Sequence, residues 1–217
     1  MLLAFCSPVR AAQPFSPACA APKAGRNSGG RRRGPDNNPR IVPDLTLGYC
    51  SDMAALYYSR IDDSPVGPLL LAGNREGLHV LSFGAGSRPR VIDRAWVADT
   101  TGVLDGVREE LDEYFAGRLK AFTTPVVFEG TPFQHQVWTE LRRIPYGETI
   151  SYMELANRIR NPKAVRAVGL ANGANPIAII VPCHRVIGAN GSLVGFGGGI
   201  PTKRALLELE RGQRTLL

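Results

Sequence analysis

The sequence contains few cysteines, few aromatic residues and no long apolar run. Only 4 of its 217 residues are cysteines, and 7% are aromatic. Cys6, Cys19 and Cys50 lie near the start and Cys183 stands alone beyond them, so the spacing fits neither a disulfide framework nor a zinc finger. A free cysteine in a compact domain is typical of a reducing, intracellular compartment. No apolar run approaches the ~20 residues of a transmembrane helix, and we expect no membrane association.

Acidic residues are absent from the beginning of the chain. Residues 1–52 hold none before Asp36 and are rich in Ala, Pro, Ser, Gly and Arg, including the run GGRRRGP at 29–35. This composition predicts a disordered basic tail, because it offers too little apolar surface for a core. Three interpretations stay open: an organelle-targeting peptide, a basic arm that binds DNA, or an extension from a misassigned start, with Met53 as the true first residue.

Positive charge is concentrated toward the C-terminus. The net charge is +7, and residues 131–217 carry 11 basic and 5 acidic side chains, whereas residues 53–130 carry 8 basic and 11 acidic ones. A basic half beside a mildly acidic half suggests a polyanionic partner, with nucleic acid first. An ordinary basic surface explains the same distribution equally well.

Residues 53–126 predict a small N-terminal α+β domain. Residues 54–61 alternate as a strand, and residues 66–72 and 78–83 form a hairpin around a glycine-containing turn. An amphipathic helix should follow and end at Gly117. Its apolar residues recur at four-residue spacing: Val103, Val107, Leu111 and Phe115.

Residues 127–217 predict a second, mostly helical domain. Residues 131–134 (TPFQ) form a capping box with proline at the first helical position, and we expect the nearby aromatic rings, Phe133 and Trp138, to be buried. Residues 151–154 (SYME) form a second box, opening a helix to about 159, and a further helix runs from 162 to about 172. Two short helices joined by a tight turn indicate a helix-turn-helix.

The second helix of this pair has an unusually thin profile. Its small residues are Ala164, Ala167, Gly169, Ala171 and Gly173. Few side chains on such a helix would reach base edges in a major groove, and a thin helix suits close approach to a narrow groove. Arg166 is the one long cationic side chain at its middle, and a solvated or phosphate-contacting arginine remains an equally good interpretation at this stage.

Cys183 follows the apolar run IIVP at 179–182. Beta-branched and aliphatic residues here predict a buried strand that ends at Pro182, with Cys183 at its terminus. His184 can lower the pKa of the thiol or accept its proton, which creates a nucleophile. The glycine cluster at 195–199 lacks the context of a nucleotide loop and suits a mobile pocket wall. A last helix is predicted over 202–211, with Glu210 near its end.

These motifs together resemble the O6-alkylguanine-DNA alkyltransferase (methylated-DNA–protein-cysteine methyltransferase) family. The sequence PCHRV at 182–186 carries the resemblance, supported in the family's order by residues 133–138, 151–152, 161–169, 175–176, 195–199 and 210. The resemblance implies an α+β fold. It consists of a small N-terminal α/β, ribonuclease H-like domain and a mostly helical, winged helix-turn-helix-like catalytic domain.

The resemblance also implies a single-use repair reaction. Cys183 would take the alkyl group from O6-alkylguanine, and from O4-alkylthymine, after the base has been flipped out of the duplex. His184 would receive the thiol proton through a water, Glu210 would hold the imidazole, and Asn175 would brace the turn behind the site. The thioether product is stable, so one protein would repair one base.

The remaining implied roles concern the base and the duplex. Tyr152 would hydrogen-bond the guanine and neutralise the leaving purine, and backbone groups at Cys183, Val186 and Gly197 would read the base. The family commonly has tyrosine where Phe196 stands, so one pocket hydroxyl is missing and the rate or substrate range should differ. The residues implied in DNA binding, with Arg166 entering the stack, are Ser151, Arg166, Ala167, Gly169 and Asn172.

The resemblance implies double-stranded DNA as the partner, no cofactor, and a monomeric, intracellular, DNA-associated protein. Some relatives bind zinc in the N-terminal domain, but here that domain offers His79 alone as an imidazole, and packing is the better interpretation for it, so no metal is expected. Three alternatives were weighed: a protein that binds lesions without chemistry, a thiol hydrolase, and a structural cysteine. Cys183 argues against the first. Thiol-protease dyads come from distant segments, and a structural cysteine leaves its polar neighbours unexplained.

Overall fold

The computed structural model describes residues 55–86 and 89–212. The predictions made for residues 1–52 and for Met53 lie outside these ranges, as do Cys6, Cys19 and Cys50. Within the described ranges, no helix is both long enough and apolar enough to cross a membrane.

The N-terminal part is a four-stranded sheet with one helix. Strand order is β3-β2-β1-β4, with antiparallel pairing except between β1 and β4. The predicted hairpin is confirmed, with Arg75 and Glu76 in the turn between β2 and β3. The elements are β1 (Tyr57–Ile61), β2 (Leu69–Asn74), β3 (Gly77–Phe83), β4 (Val97–Ala98) and α1 (Asp105–Phe115).

Helix α1 covers the core as its spacing predicts. Val107, Leu111 and Phe115 are all buried, because residues four apart lie on one face of a helix. The chain leaves the helix at Gly117, which has φ +73°. Glycine adopts this left-handed conformation without the steric cost of a Cβ atom, so the predicted end of the helix is confirmed.

The C-terminal part, as far as residue 212, contains four α-helices, two short 3-10 helices and one pair of very short strands. β5 and β6 pair in parallel, and the helices of the predicted helix-turn-helix, α3 and α4, pack on each other. A short 3-10 helix beginning at Pro162 leads into α4, so the predicted second helix starts in this tighter form. The elements are α2 (Pro132–Leu141), β5 (Ile150–Ser151), α3 (Tyr152–Arg158), α4 (Val165–Gly173), β6 (Val186–Ile187) and α5 (Gly199–Glu210).

The two predicted capping boxes differ in the structure. At α2 the box is complete, since Thr131 and Gln134 exchange hydrogen bonds between side chain and backbone. At α3 the Ser151 hydroxyl accepts from the Glu154 amide at 3.0 Å. The Glu154 carboxylate accepts from Arg158 at 2.6 Å instead of from the Ser151 amide. Within the described helix α3, only the serine half of the predicted box is therefore formed.

Trp138 ties α2 to the end of α4. Its side chain is 1% exposed, and its indole N–H donates to the Ala171 carbonyl at 2.8 Å. A buried tryptophan usually satisfies its N–H in this way. The predicted burial is therefore confirmed for Trp138, while Phe133 is partly buried at the edge of the same core.

The strand predicted over residues 179–182 is wrong. Residues 178–180 form turns, and Ile179 has φ +68°, a conformation that β-branched residues rarely adopt. The Asn175 amide group donates to the Val181 carbonyl at 2.8 Å and its oxygen accepts from the Ile177 amide at 3.0 Å. These bonds coil the segment, and its apolar run marks a buried turn rather than an extended strand.

Helix α5 begins three residues before the predicted start at 202. Gly199 opens it with φ +85° after the glycine cluster. The predicted packing residues Leu206, Leu207 and Leu209 are buried, and Glu210 is its last residue.

Strand β3 joins the two parts of the molecule. On one side the Leu78 amide donates to the Pro125 carbonyl at 2.9 Å, in the segment that leads to α2. Farther along the strand, the Leu81 amide donates to the Pro176 carbonyl and its carbonyl accepts from Ala178, at 2.9 and 2.8 Å. Two later segments of the chain, one before α2 and one after α4, are therefore hydrogen-bonded to this strand.

Gly77 is placed where a side chain would collide with that junction. It has φ +154°, and an added Cβ would lie 2.6 Å from the Pro125 carbonyl oxygen. We expect Gly77→Ala to lower the free energy of unfolding by about 1–3 kcal/mol, because backbone must shift to make room. Urea denaturation measures the change.

Gly106 provides the matched control within α1. An added Cβ there meets nothing within 4 Å, so Gly106→Ala should raise stability by up to about 1 kcal/mol through helix propensity. Equal stability of the two variants would contradict the conclusion that Gly77 is required for the close approach of the Pro125 backbone.

Candidate active site

Cys183 lines a cavity together with several of the predicted site residues. It is the first residue of a short 3-10 helix, Cys183–Arg185, and is 5% exposed. The cavity has a volume of about 330 Å³. Its wall combines strand β3, Tyr152 at the start of α3, helix α4, the turn at 175–183 and the glycine loop at 195–197. The structure therefore brings the cysteine, the thin helix and the glycine loop together.

His184 and Glu210 form a buried pair beside the cysteine. Neither side chain has any solvent exposure, and His184 Nε2 lies 2.8 Å from Glu210 Oε1. A carboxylate only accepts hydrogen bonds, so Nε2 carries the proton and Nδ1 holds the lone pair. His184 Nδ1 is buried without a hydrogen-bond partner among the described residues. The pair thus presents one free basic nitrogen.

Glu210 collects further donors from distant parts of the chain. Arg185 donates through Nε and Nη2 at 2.9 and 2.8 Å, and the Tyr114 hydroxyl donates at 2.8 Å. The Gly147 amide adds a weaker bond at 3.2 Å. Burial alone would raise the pKa of Glu210, but His184 and Arg185 outweigh it and hold that pKa well below its usual range. The carboxylate is therefore ionised at neutral pH.

The cysteine and histidine are both neutral at rest. Burial raises the pKa of the Cys183 thiol, although Asn175 and the charge of Lys203 oppose the shift. Burial likewise lowers the pKa of His184, and its bond to Glu210 only partly offsets the change. A protonated thiol beside a neutral imidazole has the groups needed for proton transfer at the moment of reaction.

The predicted base-binding residues lie around the same cavity. Tyr152 lines it, and its hydroxyl donates to the Val194 carbonyl at 3.4 Å. Burial raises the pKa of Tyr152, so the hydroxyl keeps its proton at neutral pH. Phe196, which is 9% exposed, and the exposed Gly197 line the cavity, while Val186 is fully buried and lies outside its lining.

The predicted DNA-binding residues separate into two groups. Arg166 and Ala167 are exposed on α4, and Gly169 is half-buried beside the cavity. The Ser151 hydroxyl is used in the cap of α3. Asn172 is 3% exposed and lines the cavity, with its amide 3.5 Å from the Cys183 carbonyl. The structure therefore places Asn172 in the wall of the cavity and off the exposed face of the helix.

Lys203 is a site residue that the sequence analysis missed. It is fully buried, and its ammonium group donates to the carbonyls of Val186 and Val194 at 2.6 and 3.0 Å. Burial lowers its pKa to about 8. A signal was available, because Lys203 lies three and four residues before Leu206 and Leu207 on the buried face of α5.

His79 has a partner that the sequence analysis did not identify. Its Nδ1 lies 3.0 Å from the exposed carboxylate of Glu129. In the part of the chain that the structure describes, no three His, Cys, Asp or Glu residues cluster in a way that could hold a metal ion. The absence of zinc stays a prediction.

The arrangement defines a class of protein before any comparison is made. A helix-turn-helix pair borders a cavity lined by a cysteine, and the next residue is a histidine whose ring is hydrogen-bonded to a buried, ionised carboxylate. This is a DNA-binding type of fold that carries a thiol nucleophile.

Comparison with known proteins identifies the family. Residues 132–212 match the 6-O-methylguanine DNA methyltransferase DNA-binding domain, and residues 56–128 match the ribonuclease-like domain of the same family. The methylated-DNA–protein-cysteine methyltransferase of Methanosarcina acetivorans is 52% identical over 155 residues, which cover 71% of this chain and 98% of that protein. Its counterpart in Mycobacterium bovis is 49% identical, over 73% of this chain and 94% of that protein.

Solved structures agree with this result. Mycobacterium tuberculosis OGT in complex with DNA is 52% identical, with a TM-score of 0.67 over 72% of this chain and 94% of that chain. The chain belongs to the 6-O-methylguanine DNA methyltransferase family. The resemblance drawn from the motifs is confirmed, and so is the α+β class with a ribonuclease-like and a DNA-binding domain.

The electrostatics of Glu210 predict a distinct acid response. Because its folded pKa is depressed, the carboxylate contributes stability above its unfolded pKa of about 4.5, and that stability is lost as pH falls below this value. We expect Glu210→Gln to lower the free energy of unfolding at pH 7 by about 3–5 kcal/mol, since Arg185 keeps a buried charge without its partner. Between pH 5 and 3, the stability of the Glu210→Gln variant should also fall less steeply than that of the wild type.

Glu154→Gln is the control, because Glu154 and Arg158 form a largely exposed ion pair. It should cost less than about 1 kcal/mol. Denaturant titrations at several pH values compare the variants, and an acid limb of equal slope in wild type and Glu210→Gln would contradict the prediction.

Proposed function

We propose that this protein repairs DNA by transferring the alkyl group of O6-alkylguanine, and of O4-alkylthymine, to Cys183. The observation that supports the assignment most directly is the buried relay, in which Cys183 is followed by His184 and His184 is held by Glu210 at 2.8 Å. The relay opens on a cavity of about 330 Å³. A flipped purine would enter it with its damaged edge toward the thiol.

The reaction is a single displacement in which every bond and proton is accounted for. The thiol proton passes through a water to the free Nδ1 of His184, and Glu210 stabilises the resulting imidazolium. The Cys183 sulfur forms a bond to the alkyl carbon as the bond from that carbon to O6 breaks. The electron pair stays on the purine, and the hydroxyl of Tyr152 donates its proton to the developing anion. The imidazolium of His184 then gives up its proton through water and Tyr152 is reprotonated, so the net products are S-alkylated Cys183 and neutral guanine.

The product is a thioether, so the protein acts once. The carbon of an alkyl thioether is not activated toward attack by water, so the transferred group stays on the sulfur. One copy supplies the nucleophile, the base, the carboxylate and the cavity, and the protein acts as a monomer. The chemistry requires no cofactor.

Helix α4 meets the duplex through its thin face. Arg166 and Ala167 are exposed there, next to the cavity wall at Gly169. Small side chains permit close approach to the minor groove, and Arg166 enters the stack in place of the extruded base. The excess of basic residues in 131–217 adds attraction to the phosphates.

The first test follows the fate of the alkyl group. After incubation with duplex DNA that contains O6-methylguanine, mass mapping should find one methyl group on the peptide holding Cys183, in a 1:1 ratio with repaired base. Cys183→Ala should bind the lesion and transfer nothing. An unmodified Cys183 with an intact lesion would refute the alkyl-transfer function and favour a protein that only binds lesions.

The second test isolates the role of Arg166 in base flipping. Arg166→Ala should slow transfer from duplex DNA by at least about tenfold, equivalent to ~1.4 kcal/mol of transition-state stabilisation. Transfer from the free base O6-benzylguanine should change by less than about twofold, because no base needs extrusion there.

Arg204→Ala removes the same charge from the exposed side of α5 and serves as the control. Single-turnover rates are measured for both variants on both substrates. Equal losses on duplex and free base would exclude an intercalating role for Arg166.

A further inference from the structure

Strand β3 of the ribonuclease-like domain forms part of the cavity wall. Leu81, Ser82 and Phe83 all line the cavity that holds Cys183. None belongs to the DNA-binding domain at 132–212. The strand is fixed there by its two backbone hydrogen bonds with Pro176 and Ala178, which directly follow Asn175. These bonds therefore fix the position of strand β3 relative to the turn that leads to Cys183.

Phe83 packs against Phe196, the aromatic residue of the glycine loop. The rings of Phe83 and Phe196 meet edge to face with centroids 5.3 Å apart, a favourable geometry for an aromatic pair. The Phe196 ring also meets the His184 ring, with centroids 6.4 Å apart. Phe196 thus contacts both the proton acceptor and a residue from the other domain.

The loop backbone is pressed against the same strand and its continuation. A Cβ on Gly198 would lie 2.8 Å from the Phe83 ring, and a Cβ on Gly86 would lie 2.3 Å from the Gly197 carbonyl oxygen. Contacts this close leave no room for a side chain at either position. Phe83 therefore limits the positions that the loop at 196–198 can take beside the cavity.

We propose that strand β3, through Phe83 and its contact with Phe196, sets the size of the alkyl group that the cavity accepts. Phe83 is a positioning residue for the loop and a wall of the cavity, and it supports the ring of Phe196 that faces His184. The inference rests on the proposed alkyl transfer. It assigns substrate range to the ribonuclease-like domain, in addition to any role of the glycine loop.

The test compares a small and a large alkyl group on duplex DNA. Single-turnover rate constants are measured with O6-methylguanine and O6-butylguanine, and the butyl-to-methyl ratio is the readout. Phe83→Ala should raise this ratio by about tenfold, because space opens beside Phe196 and apolar pockets discriminate by such factors per added methylene. Phe83→Leu, which removes less of the wall and disturbs the fold less, should raise it by a smaller factor.

Val80→Ala is the matched control, since Val80 is 2% exposed on the same strand and does not line the cavity. It should lower thermal stability and leave the ratio within about twofold of wild type. A ratio unchanged in Phe83→Leu, or equal losses of methyl and butyl transfer, would overturn the inference. If wild type transferred neither group, the proposed function itself would fail, so the two failures are distinguishable.

Discussion

A buried carboxylate is the constraint on which the rest of this structure depends. Glu210 is ionised without solvent contact, and a buried charge is tolerated only when donors surround it. Its donors come from α1, from the segment before β5 and from the turn at Cys183. Elements from both domains must therefore reach their final positions together before this charge is compensated.

That compensation determines the chemistry of the cysteine. Because Glu210 accepts a hydrogen bond from His184 Nε2, the proton of the neutral ring is on Nε2 and the lone pair is on Nδ1. No described residue donates a hydrogen bond to Nδ1, so this nitrogen can accept a proton. Arg185 neutralises the carboxylate and, together with burial, keeps the imidazole neutral. The thiol stays protonated in the resting protein, since burial raises its pKa. A protonated thiol is a weak nucleophile, so reactivity is developed only when a proton acceptor and an alkyl group are both in place.

Local features of the fold could be predicted from the sequence, and long-range ones could not. The Thr131 cap, the hairpin and the spacing of α1 depend on residues a few positions apart, and each was predicted correctly. The strand expected after residue 178 was wrong, because an apolar run reports burial and Asn175 decides its shape. The place of Lys203 on the apolar face of α5 could have been predicted from its spacing, but its partners could not, since they are backbone carbonyls. The family motifs located Cys183, His184 and Glu210 without showing that Tyr114 completes the group.

The ribonuclease-like domain contributes to the candidate site, although the family motifs all lie in residues 131–211. Tyr114 belongs to this domain and donates to the carboxylate that also accepts from His184. Strand β3 belongs to it as well and lines the cavity together with helix α4. Truncating the chain to the DNA-binding domain would remove one donor from a buried charge and open one wall of the cavity. Both losses act on the same turn at Cys183, so the catalytic domain would keep its motifs and lose the geometry that makes them work.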